Sequence, residues 1–195
     1  PHCPVCGIPF SGIRETDTAC LRCRTRRPHF DTARSAFRYG GPVEDLIKSF
    51  KFGGEFGLGP RLLTVAENRG WLPPLPDNLE GILPVPLHRK RRRQRGYNQA
   101  SLLAKALAQQ RGIAFAPGVL ERTTHTVQQT TLSQSRRWDN VWGAFEIKRP
   151  LDVDHVLVVD DVMTTGATVS ECARTLKKQA GVQRVSVLTL ARATL

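Results

Sequence analysis

The chain reads as an α/β protein: a parallel β-sheet flanked by helices, preceded by a small four-cysteine module. Two stretches carry that reading. In the last third, His155 to Val159 is an apolar, β-branched run, Thr168 to Ala180 has helical character, and Val185 to Leu190 is a second apolar run. Strand, helix and strand within about 35 residues make a βαβ unit, and such a unit demands parallel pairing. At the other end, four of the 5 cysteines form two Cys-x-x-Cys pairs, Cys3/Cys6 and Cys20/Cys23. A boundary near Pro28 separates the two parts.

The elements between follow in order. Ala33 to Tyr39 reads as a strand closed by Gly40-Gly41-Pro42. Pro42 suits a first helical position, and Val43, Leu46, Ile47 and Phe50 recur at helical spacing until Gly53-Gly54. A second helix runs through Leu62, Leu63, Val65 and Ala66 and ends before Gly70, and Trp71 to Pro76 is a proline-rich connector. Gly81 to Pro86 is a short apolar strand running into a proline-fixed loop. Asn98 to Gln110 is a helix with Leu102, Leu103, Ala106 and Leu107 on one face and Gly112 at its end. Val119 to Arg122 and Ala144 to Ile147 read as short strands. The polar stretch Thr123 to Arg137 between them reads as a long mobile loop, of a length that is usually functional or disordered.

Hydrophobic residues make up 40% and charged residues 24% of the chain, an ordinary globular balance that argues against disorder. No apolar run approaches the roughly 20 residues needed to cross a bilayer. The start, Pro1-His2-Cys3-Pro4, lacks the basic and apolar regions of a secretory signal, so a cytoplasmic location is expected. The formal charge of +12, with a pI near 10.3, favours polyanionic partners. Six of the seven residues from Arg89 to Arg95 are basic, and Arg22, Arg24, Arg26 and Arg27 form a second cluster.

The paired cysteines point to structural zinc. A zinc ion takes four soft ligands in a tetrahedron, and two residues between cysteines let a tight turn aim both sulfurs at one metal. Gly7, after the first pair, suits such a turn. Disulfides are the competing reading, but they need an oxidising compartment. A redox Cys-x-x-Cys would occur once, opening a helix in a βαβ setting. The module is too short and too poor in apolar residues to fold without a metal. Cys172, alone in a helical stretch, reads as a buried small apolar residue.

In an open α/β sheet, ligands bind beyond the carboxyl ends of the strands. Val156 to Val159 leads there into Asp160-Asp161-Val162-Met163-Thr164-Thr165-Gly166-Ala167-Thr168. Two adjacent acids can accept hydrogen bonds from a ribose diol. The small polar turn that follows can surround a phosphate with backbone N–H groups and hydroxyls at a helix N-terminus. Gly166 permits close approach or a positive φ. Rossmann and P-loop readings fail, because neither Gly-x-Gly-x-x-Gly nor Gly-x-x-x-x-Gly-Lys is present.

Val156 to Thr168 resembles the phosphoribosyl-pyrophosphate signature of type I phosphoribosyltransferases along its whole length. Pro84 to His88, Arg95-Gly96-Tyr97-Asn98-Gln99-Ala100, the polar residues Gln129, Thr131, Leu132, Arg136 and Asn140, and the cysteine module are similar to one branch, the competence-protein-F (ComF/GntX-like) family. The resemblance implies a type I phosphoribosyltransferase-like sheet at 31–195 behind a zinc-binding module at 1–30, with 31–80 as a hood-like region. It implies that Asp160 and Asp161 hold ribose hydroxyls, and that Thr164, Thr165, Gly166, Ala167 and Thr168 hold the 5′-phosphate. Val85 and Pro86 would face a pyrophosphate, with Arg89, Arg91, Arg92, Arg93 and Arg95 neutralising it or a longer polyanion. Zinc at Cys3, Cys6, Cys20 and Cys23, and magnesium brought with phosphoribosyl pyrophosphate, are the implied cofactors.

The resemblance also implies a role in the uptake of transforming DNA, beside a helicase-type ATPase and with single-stranded DNA as a further partner. Two readings stand: a DNA-uptake factor using the fold for binding, or an active transferase with an unknown base or amine acceptor. In the latter, 123–137 would be a flap that closes over the reacting sugar.

Overall fold

The computed structural model describes residues 1–10, 18–124 and 138–193. Its main sheet has five strands: β1 (Thr32–Arg38), β2 (Gly81–Pro84), β3 (Ala114–Phe115), β6 (His155–Met163) and β7 (Arg184–Arg192). Their spatial order is β1-β7-β6-β2-β3, and every pairing is parallel. A separate antiparallel pair joins β4 (Leu120–Arg122) to β5 (Phe145–Ile147). The expected βαβ unit is present: β6, the helix α6 (Ala167–Ala180) and β7, with β6 and β7 adjacent in the sheet.

Both faces of the sheet are covered, as an all-parallel sheet requires. On one face Val156, Val158, Val185 and Val187 pack with Val169, Cys172, Ala173 and Leu176 of α6. The cysteine module joins this same cluster through Cys3, Cys6, Cys20 and Cys23. On the other face Ile82, Leu157, Val159, Leu188 and Leu190 meet three helices, α2 (Gly41–Phe52), α3 (Leu58–Asn68) and α5 (Gln99–Arg111). Ile47 and Phe50 anchor α2 there, Leu63 anchors α3, and Leu103 and Leu107 anchor α5; all five are essentially inaccessible. Cys172 is fully buried, consistent with a small apolar role.

Several boundaries differ from those expected. The buried face of α5 is Leu103, Ala104, Leu107 and Ala108, while Leu102 and Ala106 are only partly covered. Helix α5 is sandwiched between the sheet and α3, which turns the small alanines inward. The basic run forms a short helix, α4 (Arg89–Arg95), with no buried residue. Its start is capped by the His88 side chain, which accepts from Lys90 N–H, and its end by Gly96 in the left-handed conformation. The polar stretch expected as a flap lies outside the described residues except for Thr123 and Thr124. Among the described residues, no helix is long and apolar enough to cross a membrane.

The module is held to the sheet by backbone bonds. Its first knuckle closes with Gly7 N–H donating to Cys3 C=O at 3.0 Å and Cys3 N–H to Ile8 C=O at 2.9 Å. Ala33 N–H of β1 then donates to Val5 C=O at 2.7 Å. The second pair of cysteines opens and lines the five-residue helix α1 (Leu21–Thr25).

Candidate functional site

Strand β6 extends four residues further than its apolar run, so Asp160 and Asp161 lie within it, and Asp160 still pairs with Thr189 of β7. The inward-outward alternation slips there. Val156 and Val158 face α6, and Leu157 and Val159 face α5; yet Val162 belongs with the second group and Met163 with the first. Strand β7 slips in step, since Leu190 and Ala191 both face the α5 side, so the register is kept through Met163 opposite Arg192. Local irregularity of this kind re-aims side chains next to ligand sites. The acid pair occupies the slip.

The two acids have different surroundings. Asp160 Oδ1 accepts the N–H of Asp161 at 2.9 Å. Asp161 forms an ion pair with Lys51 Nζ at 3.0 Å, reaching in from the last turn of α2. Burial, and then the neighbouring Asp161 charge, push the Asp160 carboxyl up to about 7; the Asp161 N–H, Lys51 and Arg122 pull in the other direction. Arg122, on β4, is itself buried, and its guanidinium is held below its usual range by burial and then by Arg91. The pair therefore sits between two cations that sequence spacing does not reveal. Lys51 is 110 positions upstream of Asp161; only the turn Gly53-Gly54 hinted that the end of α2 stops at a surface. Arg122 had been visible only as the last residue of a short strand.

Thr164 to Gly166 link β6 to α6 as a bend. Gly166 has φ 84° and ψ 4° immediately before the helix. A Cβ there would meet Met163 Sδ and the Phe30 ring at an ordinary 3.6 Å, so conformation and not crowding calls for glycine. Ala167 N–H donates to Thr165 Oγ1 at 3.4 Å. A small cleft is lined by Asp160, Val162, Thr164, Gly166, Thr168 and Val169, which places Asp160 and the helix N-terminus around one volume. Such an arrangement can accept from a diol at one end and donate to a phosphate at the other.

The loop after β2 is bonded to β6 just before the acids. Val85 N–H donates to Val159 C=O at 2.9 Å, and Asn98 Nδ2 donates to Val85 C=O at 3.0 Å. Val85 is buried and Pro86 half-buried. Of the arginines beyond, Arg89 pairs with Glu121 at 2.9 Å. Arg91 is partly covered and held down by its burial and by Arg95, while Arg92 and Arg93 are exposed. Arg95 donates to Gln99 Oε1 at 3.2 Å and lies over the Phe52 ring at 4.9 Å. The basic run is thus divided: Arg91 faces inward towards Arg122, and Arg92 and Arg93 face solvent.

The four cysteines converge. Their sulfurs all lie within 4.8 Å of one another, and each residue is buried. Cys6 Sγ and Cys20 Sγ are 3.7 Å apart, far beyond a disulfide length and close to the ~3.8 Å edge of a tetrahedron with ~2.3 Å metal–sulfur bonds. Cys20 N–H points at Cys3 Sγ at 3.3 Å. A hydrogen bond from Cys23 pulls the Cys6 thiol down to about 5. That same bond and burial push the Cys23 thiol up, and burial pushes up Cys20. Crowded thiols that resist joint ionisation are what a dication resolves, so the cluster can hold a metal ion. Arg192, at the end of β7, is buried beside these sulfurs and offsets their charge.

These features define a parallel α/β sheet with two acids and a helix N-terminus at the carboxyl end of β6, and comparison with known proteins gives the family. Residues 94–194 match the model of the phosphoribosyl transferase domain. Competence protein F of Haemophilus influenzae is 35% identical over 99% of this chain and 85% of its own length. DNA utilization protein YhgH of Salmonella typhi is 34% identical, covering 97% of this chain and 83% of its own. Competence protein ComFC of Bacillus subtilis is 25% identical over 97% of this chain and 77% of its own. The chain belongs to the competence-protein-F family within the phosphoribosyltransferase superfamily.

Proposed function

We propose that the chain binds a phosphoribosyl-pyrophosphate-like ligand at the end of β6 and acts in DNA uptake during natural transformation. The observation that carries the ligand reading is the acid pair followed at once by the Gly166 turn into α6. In this reading Asp160 and Asp161 accept from the ribose hydroxyls. Thr164 to Thr168 hold the 5′-phosphate, and Val85, Pro86 and Arg91 border the pyrophosphate. Magnesium accompanying the ligand would be held mostly by ligand oxygens and water. Zinc fits the four-sulfur cluster, where it would lock residues 1–30 against the sheet.

The uptake role rests on the names of the relatives, two competence proteins and a DNA utilization protein, and on the charge of +12. Its partners would be single-stranded DNA and a helicase-type ATPase, and its setting the cytoplasm. A second reading, transfer of phosphoribose to a base or amine, is favoured by the complete acid pair with its cations Lys51 and Arg122. Pyrophosphate release in the presence of candidate acceptors distinguishes it.

The role is tested in Haemophilus influenzae cells lacking competence protein F. The intact chain is expected to restore transformation, and the Asp160→Ala/Asp161→Ala variant to lose it at equal protein level. No restoration by the intact chain contradicts the role; full restoration by the variant detaches the role from the ligand site.

A further inference from the structure

The end of α2 and the loop after it carry two large aromatic side chains on the surface. Phe52 is 71% exposed and Phe56 is 55% exposed, on either side of Gly53, Gly54 and Glu55. Exposed aromatics at this density are informative, because a buried phenylalanine is the norm. Neither ring is loose. Phe56 packs edge-on against Tyr97, centroids 4.5 Å apart, and Tyr97 is tied down by donating its hydroxyl to Phe50 C=O. Arg95 lies over the Phe52 ring at 4.9 Å.

The rings therefore lie beside α4. That helix contains no acidic residue, and its basic residues repeat at spacings of three and four, which repel. Arg89 at its start is paired with Glu121. Arg92 and Arg93 are exposed on it, and Arg92 is one turn from Arg95. Glu55 is the sole acid in the aromatic loop. Flat rings next to a strip of exposed guanidinium groups match a ligand with stacked bases on a phosphate backbone, which is how unpaired nucleic acid is held without regard to sequence. A duplex hides its base faces and offers nothing to Phe52 or Phe56.

We infer that Phe52 and Phe56 are the base-stacking platform, and Arg92, Arg93 and Arg95 the backbone clamp, of a single-stranded DNA site. The inference rests on the DNA reading above and gives it an address. Lys51, next to Phe52, holds Asp161, so the platform begins where the ligand site ends.

The experiment is fluorescence anisotropy of a labelled oligothymidylate titrated with the full chain across a salt series. The intact chain binds, and Phe52→Ala/Phe56→Ala weakens binding about tenfold or more with an unchanged salt slope. Arg92→Ala/Arg93→Ala makes the slope of log K against log salt shallower by about 1.4, from ~0.7 for each phosphate contact. Phe52→Trp/Phe56→Trp keeps the affinity, and an unchanged Tm shows that each variant is folded. If the phenylalanine-to-alanine variant binds as well as the intact chain, the platform is wrong and the DNA reading survives. If the intact chain does not bind at low salt, the DNA reading itself fails and the patch is left to a protein partner.

Discussion

Asp160 and Asp161 are neighbours in sequence but meet different surroundings. Lys51 keeps Asp161 paired, while burial and the adjacent charge push Asp160 up to about 7. The unfolded chain then releases the Asp160 proton first, near the ordinary 3.8. A native pKa above the unfolded one gives stability that is complete below about 4 and is lost as pH rises through about 7. Asp160→Asn removes that loss. Its Tm relative to the intact chain should climb by on the order of a few degrees between pH 5 and pH 8, as followed by circular dichroism. A constant difference across that range would contradict the burial argument. The acids themselves were legible in the sequence because they follow an apolar run directly. Lys51 and Arg122 were not, because each comes from an element whose position next to β6 is set by packing and not by local spacing.

At the scale of elements, the cysteine knuckles and β1 behave as one unit. Gly7 has φ 67°, and a Cβ there would lie 2.5 Å from the Ala33 carbonyl oxygen of the strand it docks on. His29 N–H donates to Ser170 Oγ of α6 at 3.0 Å, and Phe30 packs beside Gly166, so the module also abuts the turn into α6. Metal analysis should give one ion per chain, abolished by Cys20→Ser. Gly7→Ala should lower Tm by several degrees, through a backbone clash added to a left-handed conformation costing about 1–2 kcal/mol. An unchanged Tm in Gly7→Ala would show that the knuckle is not pressed against β1. The two pairs of cysteines were readable from spacing alone, since a metal fixes that spacing. Their place in the same core cluster as the sheet was not, because it depends on which face of β1 the chain returns to. The same holds for α4: periodicity has nothing to report in a run without apolar residues, and only the caps His88 and Gly96 mark its ends.

Across the whole molecule, a sheet with order β1-β7-β6-β2-β3 brings residues from both ends of the chain to one rim. Its C-terminal βαβ unit was evident in the sequence, because each part buries a recognisable pattern. The position of β1 at the edge beside β7 required contacts 154 positions apart, such as Ser35 with Thr189. On that rim Asp160 and the Gly166 turn border one cleft, the Val85 loop is bonded to β6 just before the acids, and the basic helix follows that loop with its aromatic neighbours beside it. Calorimetric titration of phosphoribosyl pyrophosphate with magnesium into the full chain tests the central claim most directly. The account predicts saturable one-to-one binding by the intact chain and none by a folded Asp160→Ala/Asp161→Ala variant. Absence of binding by the intact chain, or equal binding by the variant, would contradict it.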